Sequence, residues 1–225
     1  MSNKLYQLLE IHKGITAIIG GGGKTTLLMN LAKELAQEAS VIIATSTKIF
    51  KPDYCDTLLN VTTEEISEAL HKKSLLCVAS LHESGKLAVP QMSFTELSKL
   101  ADYVLVEADG SKQLPIKAHA TYEPVIPEET VQVIYVIGMD GIGKKLVDAC
   151  HRPEIFADLV GCELDEKLTP ELVAKAIRRE ALADRFYINK VSSENDWQNA
   201  KELSVLLDKP VLAGDLVKGE FRCLF

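Results

Sequence analysis

The sequence lacks several features that identify membrane proteins, disulfide-rich or metal-binding proteins, repeat proteins and nucleic-acid-binding proteins. Its 225 residues contain no apolar run near the ~18 residues of a membrane-spanning helix, no Cys-x-x-Cys pair and no internal repeat. It also lacks an excess of positive charge, because 25 Lys and Arg residues face 32 Asp and Glu residues, for a net charge of -7. This balance argues against non-specific nucleic-acid binding, which requires a basic surface. We therefore expect a cytoplasmic protein with no secretion signal and no membrane or nucleic-acid partner.

The cysteines form no recognisable framework. They are spread widely along the chain: Cys55, Cys77, Cys150, Cys162 and Cys223. An odd number without close spacing indicates reduced thiols, some of them in the core, and not a disulfide scaffold. Length alone permits one large domain or two small ones, and we predict a single domain over residues 1–225.

Short apolar runs alternate with helix-like segments from end to end. The predicted strands cover residues 15–19, 41–44, 75–79, 86–89, 103–107, 131–137, 186–188 and 211–213. The predicted helices cover residues 25–38, 62–71, a short segment from 93, 169–180 and 194–207. Capping boxes at Thr62 and Ser93 support two of these helices. The alternation predicts a three-layer α/β fold, a mostly parallel sheet with helices on both faces.

A long segment at about 107–130 breaks this alternation. It is polar and contains Pro115, Pro124 and Pro127. Loops of this length are usually functional or mobile, so we expect this segment to contribute to function.

The clearest motif lies between the first predicted strand and the first long helix. It consists of Gly20, Gly21, Gly22, Gly23, Lys24, Thr25 and Thr26. Glycines let a backbone approach phosphate closely, and the helix start offers N–H groups and a positive dipole end. In such loops the lysine reaches the β- and γ-phosphates and the following hydroxyl binds Mg²⁺. The usual spacing would require glycine at Ile18, so the sequence predicts a shortened phosphate loop for a Mg²⁺-nucleoside triphosphate, either ATP or GTP.

Acidic residues follow a later strand. Glu107 and Asp109 alternate along the chain directly after an apolar run, so both side chains can point the same way. One would hold Mg²⁺ and the other would orient the attacking water, in an order that the sequence leaves open. The predicted metal ligands are therefore Thr25, Glu107 and Asp109, and the predicted catalytic residues are Lys24, Glu107, Asp109 and Lys112.

Other polar residues follow neighbouring strands. Thr47 and Lys48 belong to a Thr-Ser-Thr-Lys segment and are candidates for contacting the terminal phosphate. Asn189 and Lys190 begin a guanine-reading Asn-Lys-x-Asp pattern, but Ser192 occupies the Asp position and leaves the base open. Candidates for stabilising transferred charge lie in glycine- and proline-rich connections: Lys112, Lys117, His119, His151 and Arg152.

Six blocks of sequence, taken in order, resemble a known family. They are Gly-Gly-Gly-Gly-Lys-Thr-Thr at 20–26, Thr-Ser-Thr-Lys-Ile at 45–49, Val-Glu-Ala-Asp-Gly-Ser-Lys at 106–112, Pro-Ile-Lys-Ala at 115–118, Glu-Pro-Val-Ile-Pro at 123–127 and His-Arg-Pro-Glu at 151–154. The chain resembles the selenium-dependent molybdenum hydroxylase accessory proteins, the YqeC family. The resemblance implies a P-loop NTPase-like fold and a role in maturing such hydroxylases, with an immature hydroxylase or a cofactor-assembly protein as partner.

Three functions are compatible with these residues. The first is an NTPase whose cycle switches its grip on a partner protein. The second is a kinase or nucleotidyl transferase acting on a small molecule such as a pterin precursor. The third is a nucleotide-sensing scaffold that binds without turnover.

Overall fold

The computed structural model describes residues 4–224, which form mostly parallel strands with helices on both sides. The strands are β1 (Gly14–Gly20), β2 (Val41–Thr45), β3 (Lys48–Ile49), β4 (Asp56–Leu59), β5 (Leu75–Leu81), β6 (Leu87–Ala88), β7 (Tyr103–Glu107), β8 (Ile116–Lys117), β9 (Thr130–Gly138), β10 (Cys150–His151), β11 (Arg185–Asn189), β12 (Val211–Asp215) and β13 (Glu220–Leu224). The helices are α1 (Leu5–Leu8), α2 (Lys24–Leu35), α3 (Thr63–Lys72), α4 (Phe94–Leu100), α5 (Leu146–Ala149), α6 (Pro153–Val160), α7 (Pro170–Glu180) and α8 (Glu194–Leu206). The predicted P-loop NTPase-like α/β fold is confirmed.

Local sequence signals explain most of these elements. Both predicted capping boxes are present: the Thr62 hydroxyl accepts from the backbone N–H of Glu65, and Ser93 does the same for Glu96. Each predicted strand is found, with bounds that differ by at most two residues at either end. Helix α2 ends three residues earlier than predicted, and residues 36–39 form turns instead.

Several elements were not predicted, and each is short or lies in a polar context. Strand β8 lies inside the segment 107–130, and β4 and β13 carry too many polar residues to show a strand pattern. Helix α6 begins after Arg152, which adopts the left-handed conformation (φ 68, ψ 59) that few non-glycine residues occupy.

The described residues group into two compact units, assembled from separate segments of the chain. The first unit contains residues 4–18, 25–110 and 125–133. Its strands run parallel in the order β1, β7, β2, β5 and β4, and the short β6 and β3 continue antiparallel from β5. Because β7 lies between β1 and β2, its last residue Glu107 is in register with both Ile18 and Thr45.

Helices α3 and α4 cover one face of the first unit's sheet. The core beneath them is formed by buried apolar side chains: Ile15, Ile42, Ala44, Ile66, Val78, Leu97, Ala101, Val104 and Val106. These positions alternate along β2 and β7, as the two-residue period of a strand requires. Burying such a set from water supplies the main favourable term in folding this unit.

The second unit contains residues 19–24, 111–124 and 134–224. In it β9, β11 and β12 run parallel and β13 closes antiparallel on β12. Gly138 at the end of β9 is in register with Asn189 at the end of β11. Strands β8 and β10 form a separate parallel pair, and α6, α7 and α8 pack in succession. Whether the two units behave as the predicted single domain stays a prediction.

Within residues 4–224, no helix has both the length and the apolar character needed to cross a bilayer.

Candidate functional site

The glycine loop joins the end of β1 to the start of α2. Gly20, Gly22 and Gly23 have φ of +95°, +76° and +125°, a region that L side chains rarely occupy. A Cβ atom at Gly22 would lie 2.3 Å from the backbone nitrogen of Gly138, and one at Gly21 would lie 2.7 Å from the Pro115 carbonyl oxygen. The glycines are therefore required by close approach of the protein's own backbone, in addition to any ligand.

The loop is held by hydrogen bonds to its surroundings in the second unit. The Gly21 N–H donates to the Val136 carbonyl at 2.9 Å, and the Gly22 N–H donates to the Leu114 carbonyl at 3.1 Å. These two amide groups bind the protein itself, so phosphate contacts by Gly21 and Gly22 stay a prediction. The N–H groups at the start of a helix, which have no intrahelical acceptor, are the remaining donors of such a motif.

Lys24 is the first residue of α2 and is buried in spite of its charge. Its Nζ donates to the Gly20 carbonyl at 2.8 Å, so the side chain folds back across the loop. A buried ammonium group is costly unless it is hydrogen-bonded or paired. An oligophosphate would offer it a stronger, charge-assisted acceptor than a carbonyl.

Thr25, the next residue in the chain, contacts the predicted acid. Its Oγ1 lies 2.9 Å from Glu107 Oε2, and Glu107 is only 8% exposed. Thr45 supports the backbone of the same acid, because its hydroxyl donates to the Glu107 carbonyl at 2.9 Å. The exposed threonine hydroxyl and the carboxylate form a pair of oxygen ligands of the kind that Mg²⁺ prefers.

The remaining candidates of the first unit lie at varying depths. Asp109 is fully buried and lies two residues beyond the end of β7. Thr47 is half-buried, and its N–H donates to the Thr45 hydroxyl at 3.0 Å. Lys48 is exposed on β3, and Thr26 is half-buried on α2. The structure thus brings Thr25 to the side chain and Thr45 to the backbone carbonyl of Glu107.

Asn189 lies behind the glycine loop and is buried. Its Nδ2 donates to the Gly22 carbonyl at 2.8 Å, and its Oδ1 accepts from the Leu216 N–H at 3.3 Å. The amide therefore positions the loop, and contact with a nucleotide base stays a prediction. Lys190 is exposed and pairs with Asp140 at 2.9 Å.

The cationic candidates of the second unit have acidic partners that the sequence did not reveal. Glu123 Oε2 lies 2.8 Å from Lys117 Nζ, and Glu123 Oε1 lies 3.3 Å from Arg152 Nη2. Glu180, at the end of α7, lies 2.9 Å from His119 Nδ1. Arg152 lies 29 residues from Glu123 and His119 lies 61 residues from Glu180, too far for a spacing rule to connect them. Lys117 and Glu123 belong to the same proline-rich segment.

The pKa values of this group reflect burial and charge. Burial by itself raises the pKa of the Glu123 carboxyl, but the hydrogen bonds from Lys117 and Arg152 outweigh it, and the net pKa is lowered. Burial lowers the pKa of His151, and the positive charges of Lys117 and Arg152 lower it further. Lys112 is exposed, with φ of 49°, and its charge acts in the same direction on His151.

The chain is similar in sequence to two curated proteins. The YqeC protein of Escherichia coli K12 is 31% identical over 166 residues, which are 68% of this chain and 63% of that protein. The ATP-dependent dethiobiotin synthetase BioD of Aquifex aeolicus VF5 is 28% identical over 139 residues, which are 57% of this chain and 63% of that protein. The chain thus spans 63% of the length of both curated relatives.

The chain also matches a solved structure and the model of a protein family. A GTPase in its apo form from Pyrococcus abyssi aligns with a TM-score of 0.45 at 14% identity and covers 92% of both chains. The model of the YqeC protein family matches residues 16–154, which is more than half of the chain and includes the glycine loop, Glu107 and Arg152. The chain belongs to the YqeC family, with a P-loop NTPase-like fold.

Proposed function

We propose that the protein binds a Mg²⁺-nucleoside triphosphate at the glycine loop and hydrolyses it as an accessory factor in the maturation of selenium-dependent molybdenum hydroxylases. The backbone N–H groups at the start of α2 and the Lys24 ammonium group bind the phosphates. Thr25 and Glu107 hold the metal. Asp109 and Lys112 are the further catalytic candidates, for orienting water and for stabilising transferred charge.

The observation that supports this function most is the Thr25–Glu107 hydrogen bond of 2.9 Å. It places a hydroxyl and a carboxylate together directly after the phosphate-loop lysine, which is the arrangement of Mg²⁺ ligands in P-loop NTPases. Within residues 4–224 no group of three or more His, Cys, Asp or Glu side chains is arranged to hold a metal. Mg²⁺ commonly completes its coordination with phosphate oxygens and water, so a two-ligand site suits a metal that arrives with its nucleotide.

The test is nucleotide binding by calorimetry, with ATP, GTP and CTP, each with and without Mg²⁺. We expect at least one triphosphate to bind, and binding at ~100-fold excess over Kd to stabilise the fold by about 2.7 kcal/mol. The Lys24→Ala variant should lose this binding while it keeps an unfolding transition. Lys218→Ala removes an exposed lysine of a turn and is the matched control. Undiminished Mg²⁺-nucleotide affinity in Lys24→Ala would refute the site.

Metal binding is tested separately with Glu107→Gln. This change keeps the size of the side chain and its hydrogen bond to Thr25, but removes the negative charge. We expect Mg²⁺ to strengthen triphosphate binding in the wild-type protein and to have little effect in the variant. Equal Mg²⁺ dependence in both proteins would remove Glu107 from the metal site.

A second function is favoured by the similarity to an ATP-dependent synthetase. In this function the same loop would bind ATP, and either its γ-phosphoryl group (with ADP leaving) or its nucleotidyl group (with pyrophosphate leaving) would pass to a small molecule. Parallel incubations of candidate pterins with γ-labelled and with α-labelled ATP distinguish the two functions. Transfer of the γ-label (kinase) or of the α-label with release of pyrophosphate (nucleotidyl transferase) to a pterin favours the second function, and release of free phosphate alone favours the first.

The maturation role rests on the family to which the chain belongs. Its test is a strain that carries this gene together with a selenium-dependent molybdenum hydroxylase. Deletion of the gene should lower hydroxylase activity without lowering the amount of hydroxylase protein. A wild-type copy should restore the activity and a Lys24→Ala copy should not. Full activity in the deletion strain would contradict the proposed role.

A further inference from the structure

Two cations share a single carboxylate in the second unit. Lys117 Nζ lies 2.8 Å from Glu123 Oε2, and Arg152 contacts both oxygens of the same carboxylate at 3.3 Å. His151 is the last residue of β10 and directly precedes Arg152. It is also the register partner of Lys117 on β8. We call Lys117, Glu123, His151 and Arg152 the cationic cluster. With His151 neutral, two positive charges and one negative charge leave it with an excess of one positive charge.

The cationic cluster lies close to the glycine loop. The Gly22 N–H donates to the Leu114 carbonyl, and the Pro115 carbonyl approaches Gly21 so closely that a Cβ there would lie 2.7 Å away. Lys117 follows Pro115 by two residues, so their Cα atoms are at most about 7 Å apart. The segment that carries Lys117 therefore also contacts the loop that is proposed to hold phosphates.

The cluster has hydrogen-bond donors that Glu123 does not use. A guanidinium group carries five N–H donors in a planar fork, and Arg152 directs only Nε and Nη2 toward Glu123. The Arg152 side chain is 24% exposed, whereas the Lys117 side chain is fully buried. The ring of Tyr122 lies 5.2 Å from the guanidinium and orients it further. Arg152 thus presents a fixed, partly accessible fork, with Lys117 adding positive charge from behind.

The local charge contrasts with the rest of the protein. The whole chain carries a net charge of -7, so an anion is attracted only where positive charge is concentrated. Lys112, in the same segment as Lys117, is exposed and adds to the positive field at His151. Burial and these cations lower the pKa of His151, so that its ring is a neutral hydrogen-bonding group near pH 7.

We propose that the cationic cluster binds the carboxylate or phosphate group of a second ligand, which it holds beside the glycine loop. Arg152 makes the bidentate contact, Lys117 supplies charge and Glu123 positions both cations. The part of this proposal in which the ligand lies next to a bound nucleotide rests on the proposed function. Binding of the carboxylate or phosphate group itself does not depend on that function. The ligand class implied is a small molecule with a carboxylate or phosphate group, which would be the acceptor in the second function, transfer from ATP to a small molecule.

The test is a titration with oxyanions, monitored through the NMR signal of the Arg152 side-chain Nε–H. This signal is assigned by its disappearance in Arg152→Gln. Inorganic phosphate and succinate are added separately, at constant ionic strength, to the wild-type protein and to Lys24→Ala. Lys24→Ala disables the phosphate loop, so binding that persists in it belongs to another site. Arg152→Lys keeps the charge but loses the fork, and Arg222→Gln, which removes an exposed arginine stacked on Trp197, is the matched control.

We expect a saturable shift with phosphate, with succinate or with both, and the more effective ion identifies the group that the site prefers. Calorimetry measures the affinity of the Arg152 variants. Both Arg152→Gln and Arg152→Lys should weaken binding, and Arg152→Gln should raise the Kd by about tenfold or more. Arg222→Gln should bind as the wild-type protein does. Unchanged affinity in Arg152→Gln, or no saturable shift with either ion, would overturn the inference. Failure of nucleotides to bind would contradict the proposed function and leave the Lys24→Ala titration as a valid test.

Discussion

At the scale of single residues, buried polar side chains connect the glycine loop to distant parts of the second unit. Asn189 does so through both atoms of its amide, to the Gly22 carbonyl and the Leu216 N–H. Tyr187, on the same strand, adds a long contact of 3.5 Å to the amide oxygen. A buried polar group with its partners in place is stabilising, whereas one deprived of them costs free energy.

Replacement of Asn189 tests this connection. Asn189→Ala leaves the Gly22 carbonyl and the Leu216 N–H without the amide, so we expect the free energy of unfolding to fall by about 1–3 kcal/mol. Urea denaturation measures the change. Asn195→Ala, an exposed asparagine of α8, is the control and should change stability little. Equal stability of the two variants would show that the amide does not hold the loop.

The cysteines give a second prediction at this scale. Burial raises the pKa of Cys77 and Cys150 to about 12, whereas Cys223 is exposed on β13. Because the thiolate is the reactive form, iodoacetamide at pH 8 should modify Cys223 first and leave the two buried thiols unmodified in the folded protein. Peptide mass spectrometry identifies the order. Early labelling of Cys150 would contradict its place in the core.

At the scale of elements, one aspartate ties together the starts of three parallel strands. Asp102 precedes β7, and its carboxylate accepts from Lys13 at 2.8 Å, before β1, and from the Ser40 hydroxyl at 2.9 Å, before β2. The Ser40 hydroxyl in turn accepts from the Asp102 N–H at 2.9 Å. The charged partner Lys13 and the Ser40 hydrogen bonds lower the pKa of Asp102 to about 2.

This lowered pKa predicts how stability depends on pH. A carboxyl whose pKa is depressed on folding stabilises the folded state above its unfolded value of ~3.9, and the contribution is lost as pH falls toward 2. Asp102→Asn should therefore lower stability by no more than about 1 kcal/mol at pH 7, since solvent screens this exposed group. The difference from the wild-type protein should shrink below pH 4.

Thermal unfolding between pH 2.5 and 7 measures this effect. Asp158→Asn, an exposed aspartate of α6, is the matched control and should show a small difference that does not change with pH. A gap between wild type and Asp102→Asn that stayed constant down to pH 2.5 would contradict the role given to the charge.

At the scale of the whole molecule, the excess of acidic residues determines which partners are attracted. With 32 acidic and 25 basic side chains, the long-range field repels polyanions, while the cations of the second unit act at short range. An oligophosphate must therefore be recognised by local contacts, for which we propose the start of α2 and Lys24.

Absence of nucleic-acid binding is the corresponding prediction. Fluorescence anisotropy with a labelled DNA duplex at 150 mM salt should show no saturable binding, because counterion release needs several basic contacts to phosphates. A triphosphate without a polynucleotide chain is the positive control. Tight, salt-dependent DNA binding would show that surface charge is distributed less evenly than the composition implies.

The fold could be predicted largely from local patterns. The order of strands and helices, the caps at Thr62 and Ser93 and the loop at Gly20 depend on neighbours within a few residues, which a sequence displays directly. Short elements such as β8 and β10 could not be predicted, because a two-residue strand exists only through the partner that it pairs with.

The candidate site was predictable in part. Glu107 and Thr25 were expected at one metal site, and the hydrogen bond between them agrees with that arrangement. Asn189 was expected at a base, which stays a prediction, and its contact with Gly22 was not foreseen. Glu123 was not singled out as a partner for the cations. Spacing indicates which residue types follow a strand, but the direction of each side chain depends on what surrounds it.

The sequence by itself determined the family, the alternation of strands and helices and the position of the glycine loop, because glycine conformations, capping and hydrophobic period are local properties. Only the tertiary structure decided that Asn189 binds a carbonyl 167 residues away and that Lys117 and Arg152 share Glu123. Contacts between distant residues depend on how buried surfaces pack, and burial favours arrangements in which most buried polar groups have hydrogen-bond partners.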